Sequence, residues 1–76
     1  MDAKMDIEKI NFTVEGEYID LLQLLKATGI ASTGGHAKMI VDNGEVERNG
    51  EVEMRKRAKL KAGDVLRIDR FEIQLA

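Results

Sequence analysis

The hydrophobic period of this chain changes twice, and that change limits what it can fold into. Ile10, Phe12 and Val14 alternate with Lys9, Asn11, Thr13 and Glu15. A period of two over residues 9–15 predicts a half-buried strand. In "IDLLQLLKATG" the apolar residues instead recur at helical spacing. Leu21, Leu25 and Thr28 share one stripe, widened by Leu22 and Leu24. In "GHAKMIVDNG" Ala37, Ile40 and Val41 form a second helical face. After Val46 the period of two returns, in Leu66 and Ile68 and again in Phe71, Ile73 and Leu75. One strand, two short helices and several short strands bury these faces by packing both helices on one sheet. The expected class is α+β, with two helices on a small antiparallel sheet.

Local signals place the boundaries. Asp20 can cap the first helix, and Lys26 and Gly29 close it. "ASTGG" is a loop in which Thr33 or Ser32 caps the second helix, and Asn43-Gly44 ends that helix. The pentapeptide NGEVE then recurs six residues later, where Asn49-Gly50 marks a hairpin. A two-residue turn would set Val46 opposite Glu53 and Val52 opposite Glu47, mixing apolar and charged residues on each face. A three-residue loop, Arg48-Asn49-Gly50, sets Val46 opposite Val52, and the hydrophobic pattern prefers it. Leu66 and Ile68 are out of phase with Phe71, Ile73 and Leu75. A bulge or tight turn at Asp69-Arg70 reconciles them.

Composition narrows the function classes. Seventy-six residues make one small domain, taken as 1–76 with residues 1–8 loosely ordered. Val, Ile, Leu and Phe total 21 of the 76, above the composition of a disordered chain. Without cysteine there is neither a disulfide framework nor a thiolate metal site. No apolar run approaches the roughly 18 residues of a membrane span, and "MDAKMDIEKI" is unlike a signal peptide. A cytoplasmic protein without a membrane partner is expected. The net charge of −2 is unevenly spread. Four glutamates and Arg48 occupy residues 43–53, and the next ten residues carry Arg55, Lys56, Arg57, Lys59, Lys61 and no acid. A polyanion meets that patch, not the overall charge.

Catalysis has little support. His36 is the single histidine, with no acid nearby in sequence. There is no metal-ligand spacing, and the glycines of "TGGHAK" fit neither a phosphate-binding loop nor a dinucleotide fingerprint. No cofactor is expected. The basic stretch is the stronger signal. If "RKRAKLK" is extended, Arg55, Arg57, Lys59 and Lys61 share one face, roughly 7 Å apart. Lys56, Ala58 and Leu60 then lie opposite. Such a row suits a phosphate backbone; the plain alternative is a solvated loop balanced by the neighbouring glutamates. The start of the second helix is the other candidate. Backbone N–H groups at Thr33, Gly34 and Gly35 could receive a phosphate, with Lys38 one turn along. Lys26, near the end of the first helix, joins the candidates, as does His36, whose plain reading is a partly exposed polar residue in the first turn of the second helix. Tyr18 reads as a core-edge residue, because aromatics at 4% offer little for stacking bases.

"GIASTGGHAKMIVDNGEVERNGEVEMRKRAKLKAGDVLRI" resembles the S4-type RNA-binding domain. The motif positions are Gly29, Ile30 and Ala31; Thr33; Ala37 and Lys38; Ile40 and Val41; Gly44 and Val46; Asn49 and Gly50; Gly63 and Asp64; and Ile68. The resemblance spans residues 18–70 and is nearest to short stand-alone bacterial members. It implies an αL-type fold with a curved sheet, and recognition of structured RNA from the surface of the two helices. Thr33, Gly34, Lys38 and Asn49-Gly50 fall at its motif positions. Where the family carries arginines this chain has Asp20 and Gly34. Either the basic row 55–61 replaces them or the RNA role has changed.

The expected function is therefore non-enzymatic recognition of structured RNA, ribosomal, transfer or regulatory, mainly through phosphate contacts. The RNA-binding candidates are Lys26, Thr33, Gly34, Gly35, His36, Lys38, Arg55, Lys56, Arg57, Lys59 and Lys61. The alternative is a protein-interaction module within a ribonucleoprotein or another complex. A β-grasp sulfur carrier, suggested by "LKAGDVLRI", is disfavoured because its C-terminal Gly-Gly is missing; the one Gly-Gly, Gly34-Gly35, is internal.

Overall fold

The computed structural model describes residues 6–76. Strands β1 (Glu8–Phe12) and β2 (Ile19–Asp20) precede helices α1 (Leu21–Ala27) and α2 (Gly34–Asp42). Strands β3 (Val46–Arg48), β4 (Glu51–Val52), β5 (Lys59–Leu60), β6 (Val65–Ile68) and β7 (Phe71–Leu75) follow. Of the segment expected to be loose, residues 1–5 lie outside the described residues, and Glu8 already pairs in β1.

The class is α+β, as the periods implied. Five strands form one sheet in the order β1-β7-β6-β3-β4. The sheet is mixed: β7, β6, β3 and β4 are antiparallel, but β1 runs parallel to β7. Alternation sets which side chains are buried and carries no information on strand direction, so the parallel edge was not legible. A second, two-stranded sheet pairs β2 with β5, with Ile19 opposite Leu60 and Asp20 opposite Lys59.

The helix ends follow the local chemistry. The Asp20 carboxylate accepts from the Gln23 N–H at 2.8 Å, and the Thr33 hydroxyl accepts from the His36 N–H at 3.0 Å. Both are N-caps, satisfying donors that have no intrahelical partner. At the end of α2, Gly44 has φ of +73°. Its N–H donates to Val41, and that of Glu45 to Ile40, closing the helix in a Schellman motif. The core joins Leu21, Leu24 and Leu25 of α1 and Ala37, Ile40 and Val41 of α2 to Val46, Leu60, Leu66, Ile68, Ile73 and Leu75.

Two turns set the strand phases. At Asp69-Arg70 a tight turn puts Ile68 opposite Phe71 and Leu66 opposite Ile73. That brings the two apolar sets onto one face. The Asn49-Gly50 hairpin overturns the expected loop. Arg48 pairs with Glu51 and Glu47 with Val52. Asn49 and Gly50 have φ of +52° and +91°, the two positive angles of a type I′ turn. The Glu53 N–H donates to the Val46 carbonyl at 2.8 Å, so a glutamate lies across from a core valine. Val52 is 55% exposed and Glu53 only 8% exposed. The hydrophobic pattern misled because the inward residue is the charged one. Two arginines neutralise it.

Candidate nucleic-acid interface

The basic segment is not one continuous strand. The Ala58 N–H donates to the Arg55 carbonyl at 3.1 Å, closing a turn through Lys56 and Arg57. Only Lys59 and Leu60 pair as strand β5. The regular 7 Å row is therefore corrected. The chain must turn there to bring Ala58 and Leu60 under the helices, where both are buried. The Leu21 N–H donates to the Ala58 carbonyl at 3.0 Å, fixing this segment against the start of α1.

Arg55, Arg57, Lys59 and Lys61 nonetheless border one open hollow of about 480 Å³, with Arg48 and Ala58. Lys56 does not line it. Its ammonium turns to Asp42, the last residue of α2, at 3.1 Å. Three members of the hollow, Arg48, Arg55 and Arg57, are also engaged. Arg55 forks onto Glu53, with Nε 3.0 Å from Oε2 and Nη2 3.1 Å from Oε1. Arg57 lies 3.7 Å from the Asp20 carboxylate. Lys59 and Lys61 have no carboxylate within ion-pair distance among the described residues. The Lys59 ammonium instead sits 5.0 Å from the centre of the Tyr18 ring, a cation–π contact.

Arg48 holds the floor of the hollow, and sequence reasoning missed it. It is the one cation among the four glutamates of residues 43–53, a segment whose charge is negative overall. Its Nη2 donates to the Asp64 carboxylate at 2.9 Å and to the Lys59 carbonyl at 3.0 Å. Its Nη1 lies 3.6 Å from Glu53. The Asn49 amide donates to Asp64 at 3.1 Å and accepts from the Val65 N–H at 2.9 Å. The Lys61 N–H also donates to Asp64, at 2.9 Å. The Asn-Gly and Gly-Asp motif positions thus latch the β3–β4 turn to the start of β6. Asn49 acts there as scaffold.

The electrostatics follow these contacts. The hydrogen bond from Arg55 holds the Glu53 carboxyl at about 2, against 4.5 ordinarily, overcoming the opposing effect of burial. The same bond raises the Arg55 guanidinium further. Burial pushes Asp64 up, but bonds from the Lys61 N–H, Asn49 and Arg48 outweigh it and leave Asp64 lowered.

The second candidate lies at the opposite end of α2. Gly34 and Gly35 are its first two residues, and Lys38 is exposed one turn on. Lys26 is exposed in the last turn of α1. The His36 ring folds back, and its Nδ1 accepts from the Ser32 N–H at 3.2 Å, which occupies that donor. Neither Gly34 nor Gly35 has a positive φ. A Cβ would meet nothing within 4 Å at Gly34, and only the Thr33 hydroxyl at 3.9 Å at Gly35. The fold itself does not require glycine at either place. With a rise of 1.5 Å per residue, roughly 12 Å of helix separates Gly34 from Asp42 and Lys56. The sequence candidates therefore form two groups, one at each end of α2.

The described residues contain no group of three metal-ligating side chains and no helix long and apolar enough to cross a membrane. The model of the S4 domain family matches residues 12–76. This chain belongs to the S4 domain family. It is 34% identical over 58 residues to an Escherichia coli protein named "Putative RNA-binding protein YbcJ", covering 76% of this chain and 83% of that protein. It is 37% identical over 59 residues to "Probable ribosome maturation protein RlbA" of Bacillus subtilis, covering 78% and 83% respectively. The solution structure of E. coli YbcJ, described as revealing an αL motif involved in RNA-binding, superposes with a TM-score of 0.70 at 30% identity. That match covers 100% of this chain and 96% of YbcJ.

Proposed function

We propose that this S4 domain binds structured RNA without catalysing a reaction, mainly through the phosphate backbone. The observation that carries the reading is the hollow bordered by Arg48, Arg55, Arg57, Lys59 and Lys61 in a chain of net charge −2. Five cations converge there, and Lys59 and Lys61 meet no acid among the described residues. Phosphates neutralised there release counterions, which gives affinity without base selection. The start of α2 serves as a second contact, in which Gly34 and Gly35 let a phosphate approach the backbone N–H groups while Lys38 and Lys26 add charge. The name of YbcJ favours RNA as the partner, and that of RlbA favours a role in ribosome maturation.

Fluorescence anisotropy with a stem-loop RNA and a single-stranded control, across a salt series, tests the reading. About four contacted phosphates give a log–log salt slope of about −3 to −4 on duplex-like RNA. Arg57→Ala/Lys59→Ala/Lys61→Ala should weaken binding and make the slope shallower by about 2–3. Equal binding of both RNAs, or a triple variant that binds like the wild type, would refute it. Arg55 stays unaltered in that variant because its removal strips a buried glutamate of the nearer of its two arginine partners.

A further inference from the structure

Beside the basic hollow lies a second one of different chemistry. It is open, about 450 Å³ in volume, and lined by Phe12, Thr13, Glu15, Tyr18, Ile19 and Gln23. Phe12 and Ile19 are half-buried against the core and give it an apolar floor. Tyr18 is 45% exposed although it is a large aromatic residue. Lys59, which borders the basic hollow, covers this ring at 5.0 Å and is not part of the second hollow's lining. The Tyr18–Lys59 pair is thus the wall between the two. Among the described residues, the side chains of Thr13, Glu15 and Gln23 make no hydrogen bond.

We infer that the Tyr18 hollow receives an unpaired nucleobase of the RNA whose phosphates occupy the adjoining basic hollow. The inference rests on the RNA-binding reading above and names the feature of the RNA that this face takes. Three properties of a nucleotide match the two hollows. Its base has an apolar π-face, which stacks on an aromatic ring whatever its sequence. Its phosphate is anionic and goes to the Lys59 and Lys61 side, because Glu15 repels it from the other. The base edge carries donors and acceptors, which Glu15, Gln23 and Thr13 can meet. A glutamate accepts from an exocyclic amine, so an amine-bearing base is preferred over uracil. A base within a duplex is stacked on its neighbours and cannot enter. The ligand is therefore RNA in which a paired segment adjoins a bulged or terminal unpaired nucleotide.

The test uses the full chain and two hairpin RNAs, one with a single bulged 2-aminopurine and one fully paired. The wild type should bind the bulged RNA about tenfold more tightly, with the 2-aminopurine fluorescence quenched on binding. Tyr18→Ala should lose about tenfold on the bulged RNA and nothing on the paired one. Tyr18→Phe, which keeps the ring, should behave as wild type. The fluorescence change in the wild type needs no variant, so a folding defect in Tyr18→Ala does not remove the test. Equal affinity for the two RNAs with unchanged fluorescence would overturn the inference and leave the RNA-binding reading intact. Equal losses on both RNAs in Tyr18→Ala would also overturn it, since the ring would then act only by holding Lys59. Failure to bind either RNA at low salt would overturn both readings.

Discussion

At the carboxyl end of α2 Lys56 is tied to Asp42, Arg57 faces Asp20 and Arg55 is forked onto Glu53. At the amino end Lys26 and Lys38 meet no carboxylate among the described residues, and the other donors are backbone N–H groups. The carboxyl end holds more charge and has committed more of it to the fold. Arg48 and Arg55 both build the surface and present it. The amino end presents less charge, but among the described residues its lysines are not tied to any carboxylate. A count of cations therefore overstates the first region and understates the second. Substitutions of Arg48 and Arg55 at the carboxyl end should change stability and binding together; those at the amino end should separate them.

Arg48→Ala should give the largest effect. It removes one partner from each of Glu53 and Asp64 and leaves the Lys59 carbonyl without its donor. A loss of about 2–3 kcal/mol in urea unfolding is expected. An unchanged midpoint would show that the basic end is not built on this residue. Acid titration should reveal the same dependence more weakly. The folded Glu53 pKa lies near 2, below the ordinary 4.5, so between those values the unfolded chain binds more protons. The Glu53 contribution is fully present above pH 4.5 and fades as pH falls toward 2. It is on the order of 1–2 kcal/mol once solvent screening of the exposed Arg55 is allowed for. Asp64, also lowered, acts in the same direction. Glu53→Gln should flatten this part of the stability–pH profile.

The amino end was the more legible from sequence because its structure is local. The Thr33 hydroxyl caps α2 through the His36 N–H three residues on, and the Thr28 and Gly29 N–H groups close α1 on Leu24 and Lys26. Such contacts depend on neighbours in the chain, and a linear reading finds them. The carboxyl end depends on partners far apart. Arg48 reaches Asp64 across 16 residues and Lys59 across 11. Those contacts let Glu53 turn inward opposite Val46, against the rule that charged residues face out. The expected hairpin loop followed that rule and took the wrong register. The Tyr18–Lys59 contact is likewise non-local: no neighbour of Tyr18 in sequence indicates that Lys59 will lie over its ring. The cluster 55–61 was visible as composition. Its turn, and the departure of Lys56 toward Asp42, were not.

The smallest expected change in stability, and the one that best separates the two ends, is at Gly34 and Gly35. Both have ordinary helical backbone, and neither would clash on gaining a Cβ. Alanine costs less conformational entropy on folding than glycine, so Gly34→Ala/Gly35→Ala should raise stability by about 0.5–1 kcal/mol. The same methyl groups would stand between the helix start and an incoming phosphate. Stem-loop affinity should therefore fall several-fold while the thermal midpoint rises. No substitution that breaks the ion pairs of the basic end can give that opposite-sign result, because the paired cations there also hold the fold. If stability rises and affinity is unchanged, the start of α2 makes no phosphate contact and the basic hollow carries the affinity alone.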